Sequence, residues 1–175
     1  MPLSFELRPA AKADFAFCWP IYRDALQPLM EPPTEWREPD RRRIVERALA
    51  DAGSSILHSE GADVGWLHVA ETGQVIELKQ FHLLPAVRNR GLGTSFLDWM
   101  KARADRKRKD LTAEIMTNSP ARRLLERLGF KADDDKWRDC VMRLAARDEQ
   151  RYYYYRYPLA TGCFGHRGFY HCSML

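Results

Sequence analysis

The sequence predicts a mixed α/β domain, and three observations carry that expectation. Short runs with apolar residues at every second position alternate along the chain with longer runs at helical spacing. Clusters of Gly, Asp, Ser and Pro separate these runs and read as turns. Between a strand-like run, Val75 to Leu84, and a helical run continuing past Met100 lies Arg88-Asn89-Arg90-Gly91-Leu92-Gly93. At such a junction an Arg-x-x-Gly-x-Gly stretch wraps backbone N–H groups around an anion such as a pyrophosphate. The helix start supplies unpaired donors and about half a positive charge, and the glycines let the main chain come close. With 175 residues the chain fits one domain and can bury a core of its own.

Each element has a local reason. Ser4 to Arg8 alternates apolar and polar residues and reads as the first strand. Asp14 is placed to cap a helix running to about Pro28 and burying Phe15, Cys18, Tyr22 and Leu26. Pro20 is expected to kink or divide it, and Pro28, Pro32 and Pro33 enforce a loop. Asp40 to Ala52 is the second helix, with Ile44, Val45, Ala48, Leu49 and Ala52 on one face and Gly53 as its stop. Arg41, Arg42 and Arg43 in its first turn oppose the helix dipole and read as solvated surface. Ser55 to His58, Val64 to Val69 and Val75 to Leu84 form a meander, turned at Ser59–Asp63 and at Glu71–Gln74. Leu92, Phe96, Trp99 and Met100 then recur at helical spacing. That helix ends in a basic run, Lys101 to Lys109, where each cation is worth about 0.3–1 kcal/mol at the negative end of the dipole.

Leu111 to Met116 is a further strand. Ser119 as N-cap and Pro120 as first helical residue open a helix with the stripe Ala121, Leu124, Leu125 and Leu128, ended by Gly129. Trp137 to Leu144 is the last strand. From Ala145 onward no period persists, and six of the seven tyrosines lie here, among them Tyr152 to Tyr155. The expected division is a domain over 1–145 and a tyrosine-rich tail over 146–175. The tail reads as an appended strand, an oligomer contact such as a homodimer would use, or sequence outside the domain; all three stay open.

Composition narrows the function classes. A formal net charge of +4 suits an anionic small ligand and is too small to argue for nucleic acid by itself. No apolar run approaches the roughly 20 residues that span a bilayer, and the start lacks the regions of a signal peptide. The chain is therefore expected in the cytoplasm, away from membranes. Cys18, Cys140, Cys163 and Cys172 show neither metal-ligand nor disulfide spacing, and Cys18 reads as a small buried hydrophobe. His166 and His171 near Cys163 and Cys172 lack a Cys-x-x-Cys or His-x-x-x-His anchor, so no metal is expected.

Order and spacing then match a family. Leu83-Leu84-Pro85, Arg88-x-x-Gly91-x-Gly93 and Asn118-x-x-Ala121-x-x-Leu124-Leu125-x-x-Leu128-Gly129-Phe130 resemble the GCN5-related N-acetyltransferases, the GNAT family, of bacterial type. Leu7-Arg8-Pro9-Ala10 followed by Ala13-Asp14-Phe15 is similar to the opening of such proteins, and the likeness covers about residues 4 to 144. The resemblance implies a mainly antiparallel sheet splayed between its fourth and fifth strands, with acetyl-CoA as co-substrate in the gap. It implies that Leu83, with Leu84, offers backbone groups to the pantetheine arm and the thioester carbonyl. Arg88, Asn89, Arg90, Gly91, Leu92, Gly93 and Thr94 would hold the pyrophosphate, and Asn118 the pantetheine.

Transfer of an acetyl group to an amine requires a deprotonated amine, a polarised carbonyl and a thiolate that departs. Glu77 is the expected base, its carboxylate desolvated among Ile76, Leu78 and Phe81; the competing reading is an exposed glutamate facing Lys79. His82 is a second candidate. Many relatives carry a tyrosine at the position of Leu125 to protonate the sulfur, and leucine cannot do so. Tyr22 or a tail tyrosine substitutes on this reading, or the thiolate leaves unaided. Trp19, Tyr22 and Trp36 are expected to line the acceptor cleft and attract a primary amine of a small molecule or protein by cation–π contact, or else to be core. Glu31, Glu35 and Glu38 keep a polycationic acceptor open. Two alternatives stand beside the enzyme. One is an acyl-CoA sensor without turnover. The other is a nucleic-acid-associated protein using Arg41–Arg43, Lys101–Lys109, Arg122 and Arg123, which merges with the first reading if the amine is carried on tRNA.

Overall fold

The structure is a computed structural model and describes residues 4–30, 36–135 and 139–146. The tail tyrosines, Cys163, Cys172, His166, His171, Glu31, Glu35 and Trp137 lie outside the described residues.

Among the described residues seven strands form one sheet: β1 (Glu6–Pro9), β2 (Ser54–Ser59), β3 (Ala62–Thr72), β4 (Val75–Leu83), β5 (Asp110–Met116), β6 (Lys131–Asp135) and β7 (Asp139–Leu144). Their order is β1-β2-β3-β4-β5-β7-β6. All neighbours are antiparallel except β4 and β5. That parallel step needs a crossover, which is α3 (Leu92–Lys107). α1 (Phe15–Leu26) and α2 (Glu38–Leu49) precede β2, and α4 (Ala121–Arg127) follows β5.

Period-two alternation sends the two sides of each strand into two cores. Leu57, Leu67, Ile76, Leu78, Leu111 and Ala113 pack with Leu92, Phe96, Leu97 and Met100 of α3 and Leu125 of α4. Ile56 and Trp66 face the other way, onto Cys18, Trp19 and Tyr22 of α1 and Val45, Ala48 and Leu49 of α2.

Several boundaries differ from expectation. α1 runs undivided through Pro20, because Pro20 and Ala16, the residue whose carbonyl loses its partner, both lie on the exposed face. α2 ends at Leu49, short of Gly53, where the Asp51 carboxylate accepts the Gly53 N–H at 2.7 Å and turns the chain into β2. Ile44, expected on the apolar face of that helix, is exposed. β2 and β3 extend into the expected turn and leave Glu60 and Gly61 as a two-residue loop, both with positive φ, the mirror-image turn that fits strand twist. Before α4 the cap residue is Pro120, and the Ser119 hydroxyl accepts the Ala121 N–H at 3.3 Å. β6 was not expected at all. Its residues, Lys-Ala-Asp-Asp-Asp, have poor strand propensity, and among the described residues it forms as a charged edge paired only to β7.

Candidate functional site

β4 and β5 pair only from Val75–Leu78 against Asp110–Ala113, although β4 continues to Leu83 and β5 to Met116. Beyond Leu78 the sheet is splayed. A bulge coincides with the parting: His68 pairs with Gln80 and Val69 with Leu78, so Lys79 is the extra residue on β4. A bulge bends its strand and re-aims the residues beyond it, here away from β5.

Antiparallel pairing with β3 decides which groups of β4 face the gap. The Leu84 N–H donates to the Val64 carbonyl at 2.9 Å, making Leu84–Val64 a hydrogen-bonded pair. In the same register His82–Trp66 is also such a pair, whereas Leu83–Gly65 and Phe81–Leu67 are not. The N–H and C=O groups of Phe81 and Leu83 therefore point away from β3, into the gap where β5 no longer pairs. Leu83 stands where the sequence placed it. Phe81 was not foreseen as a donor, although it shares the parity of Leu83. Leu84 was expected at the site, yet both its backbone groups are engaged elsewhere: its N–H on Val64, and its carbonyl with the Val87 N–H at 3.1 Å.

Arg88 folds back on the strand end, its Nε donating to the Leu83 carbonyl at 2.9 Å and its own N–H to Pro85 at 3.2 Å. That leaves the Leu83 N–H as the free group of this residue. From Asn89 to Thr94, no N–H has an acceptor among the described residues. The first helical bond is Ser95 N–H to the Gly91 carbonyl, 2.9 Å. Asn89 and Gly91 have φ of 59° and 90°, so successive N–H groups converge into an anion-binding nest. Space does not select Gly91, since a Cβ there would meet nothing within 4 Å; the left-handed φ does. A Cβ on Gly93 would lie in ordinary contact, 3.6 Å from Leu124 and 3.7 Å from Leu83, at the wall of the gap. Leu92 is buried in the core and anchors the loop.

The remaining site residues divide. Asn118 donates from Nδ2 to the Leu29 carbonyl at 2.9 Å, tying the end of β5 to the turn after α1. Glu77 is not desolvated: its side chain is 39% exposed and 3.6 Å from Lys79 Nζ, so its geometry follows the competing reading. Leu125 is buried in the core against α3, far from offering any polar group. Tyr22 is buried, edge-on to His82 at 5.4 Å and to Trp66 at 6.3 Å. Trp19 stacks on Tyr22, and Trp36 lies 6.2 Å from both.

The outer faces of that aromatic group are covered by the chain's own cations. Arg42 sits over Phe15 and Trp19 at 4.8 and 5.2 Å, and Arg41 over Trp36 at 5.7 Å. Arg41 and Arg42 are thus packed on rings rather than merely solvated, and those faces are not open to a cationic ligand. Glu38 is 3.5 Å from Arg42. The basic run is likewise engaged: Arg103, Lys107 and Lys109 converge on Glu71 at 3.1, 2.8 and 2.8 Å, and together hold its carboxyl down to about 2. Lys101 donates to the Leu128 carbonyl at 2.9 Å.

His82 is a buried titratable group at the edge of the gap-bearing strand. Its Nε2 lies 2.7 Å from Gln80 Oε1, and its ring stacks on Trp66 at 5.7 Å. Burial, helped by the positive charge of Arg88, brings its pKa down to about 4, so the imidazole is neutral at pH 7.

Residues 47–138 match the FR47-like protein family. The chain belongs to that family. Its fold is that of the GNAT acetyltransferases, as the solved structures it resembles show. PaiA N-acetyltransferase of Thermoplasma acidophilum, solved with coenzyme A, superposes with a TM-score of 0.64 at 14% identity, over 82% of this chain and 99% of its own. An acetyltransferase of Thermus thermophilus gives 0.62 at 18%, over 82% and 97%. YncA of Salmonella typhimurium, solved with its cofactor acetyl-CoA, gives 0.56 at 22%, over 83% and 96%. No protein of curated function matches the chain. Among the described residues no helix is long and apolar enough to cross a membrane.

Proposed function

We propose that this protein is an acetyl-CoA-dependent N-acetyltransferase, moving the acetyl group to a primary amine of a small molecule or protein by direct attack in a ternary complex. The observation that carries the reading is continuous: the β4–β5 gap, with the N–H groups of Phe81 and Leu83 facing it, leads straight into the unpaired N–H groups of Asn89 to Thr94. Donors along a strand suit an amide-bearing arm, and a nest at a helix start suits a pyrophosphate. Coenzyme A carries both. The relatives solved with coenzyme A or acetyl-CoA support the same donor.

On this reading the Leu83 N–H polarises the thioester carbonyl, a fixed dipole needing no reorganisation as negative charge grows on oxygen. Glu77, open to water but on the paired stretch of β4 short of the gap, is the expected base and would take the proton of the incoming ammonium through water. Asn118 holds the pantetheine through its amide, giving up Leu29 to do so. Trp19, Tyr22 and Trp36 border the acceptor side. The catalytic unit is residues 1–145, working in the cytoplasm, with 146–175 an appended tail.

Thiol release from acetyl-CoA, measured across an amine panel with mass detection of products, tests the proposal. Gly91→Glu sets a strained side chain and a carboxylate in the nest, and is expected to weaken coenzyme A binding by ~100-fold or more. Full activity in that variant removes the loop from the site. Leu125 favours one second reading, an acyl-CoA sensor, since no hydroxyl stands at the usual acid position. Tight acetyl-CoA binding without turnover on any amine is its signature.

A further inference from the structure

Two protons move in amine acetylation, and only the first has an owner so far. Glu77 relieves the ammonium. Once nitrogen has attacked, it carries a second positive charge to shed, and the departing thiolate needs a proton that Leu125 cannot supply. We propose that His82 carries this second proton from nitrogen to sulfur, held in the required tautomer by Gln80. The proposal rests on the acetyltransferase reading above and deepens it.

Four features of the site support it. His82 lies on β4 between Phe81 and Leu83, the residues whose N–H groups face the gap. Gln80 Oε1, an acceptor, sits 2.7 Å from Nε2, so Nε2 bears the hydrogen and Nδ1 keeps the lone pair. Nδ1 has no hydrogen bond among the described residues and is not one of the buried polar atoms left without a partner, so it keeps contact with the surface although the residue is only 8% exposed. Trp66 on one face and Tyr22 at the edge leave the ring little freedom to turn. An imidazole clamped at one nitrogen and open at the other is more than packing requires, because leucine would fill the same space with no polar atom to place.

The step balances. The N–C bond forms as the C–S bond breaks; the proton passes from nitrogen to Nδ1 and from Nδ1 to sulfur, and imidazole ends neutral as it began. Low basicity helps the second half. An imidazolium in this apolar setting is a stronger acid than a thiol of pKa near 8.5, so delivery to the thiolate runs downhill, while taking the proton from nitrogen runs uphill and is the slow half. Tyr22 from α1 and Trp66 from β3 bring no full charge to the ring; Arg88, which disfavours the imidazolium, is the charged neighbour. Gln80 is a positioning residue here, and His82 a catalytic one.

The experiment uses the full chain with the best amine of the panel. His82→Gln should lower kcat by ~100-fold while leaving the coenzyme A Kd, measured by calorimetry, within about twofold. Gln80→Glu places a carboxylate on Nε2–H, raises the basicity of the ring, and should move the acidic limb of the kcat–pH profile upward by about one unit or more. A merely structural role for Gln80 moves no limb. An active wild type matched within about threefold by His82→Gln overturns the shuttle, and so does a Gln80→Glu profile that stays in place. A wild type that acetylates no amine overturns the acetyltransferase reading and the shuttle with it.

Discussion

β4 and β5 are one pair of strands with two unlike ends. At the closed end, Val75–Leu78 lie against Asp110–Ala113, and charges cluster around the pairing. Glu71 gathers Arg103, Lys107 and Lys109, while Asp110 accepts from Arg143 at 3.0 Å and from the Ala146 N–H at 2.8 Å. At the open end the strands part, and backbone donors face a gap with no strand to receive them. Side-chain charge is neutralised where the backbone is satisfied, and the backbone is left unsatisfied where the proposed ligand would lie. The bulge at Lys79 separates the two ends, and the donors of the open end are fixed by the pairing of β4 with β3.

If the two ends have separate duties, stability and binding should come apart on mutation. The largest effect belongs to the closed end. Ile76→Ala empties a fully buried site beneath the paired strands and should cost about 2–5 kcal/mol in denaturant unfolding, against little change in coenzyme A affinity measured on the folded fraction. A parallel collapse of both would show that the ends are not separable. The open end should show a pH signature of its own. His82 has a folded pKa of about 4, below the usual 6.5, so as pH falls through that window the unfolded chain binds the proton first. Stability should be flat above pH 6.5 and decline towards pH 4 by on the order of 3 kcal/mol, a slope that His82→Phe removes. The smallest effect is Glu71→Gln. With the folded carboxyl at about 2, its contribution is present above pH 4.5 and lost as pH falls towards 2. A slight drop in Tm at neutral pH is expected, fading as salt rises to about 1 M.

Legibility along the sequence was uneven for physical reasons. Strands such as Ser54–Ser59 and Val75–Leu83 were readable because apolar residues such as Ile56, Leu57, Ile76 and Leu78 mark the positions that the cores bury. β6 was not, since an edge strand of aspartates owes its existence to β7 rather than to its own propensity. The nest at Asn89–Thr94 was visible in the glycines. The bulge at Lys79 was not, because nothing local marks a residue that only strand pairing makes surplus. Arg41 and Arg42 read as solvated while their ring partners, Phe15, Trp19 and Trp36, were out of view in sequence.

By itself, the sequence determined the order of elements, the glycine that takes the left-handed turn, and the absence of a hydroxyl at Leu125. These are properties of single residues and short periods. Tertiary structure alone decided which backbone groups face the gap, that Leu84 turns away from it while Phe81 does not, and that His82 is gripped at one nitrogen and open at the other. Those facts depend on strand register and on contacts between β3, β4 and α1, and a one-residue shift in register would reverse them all.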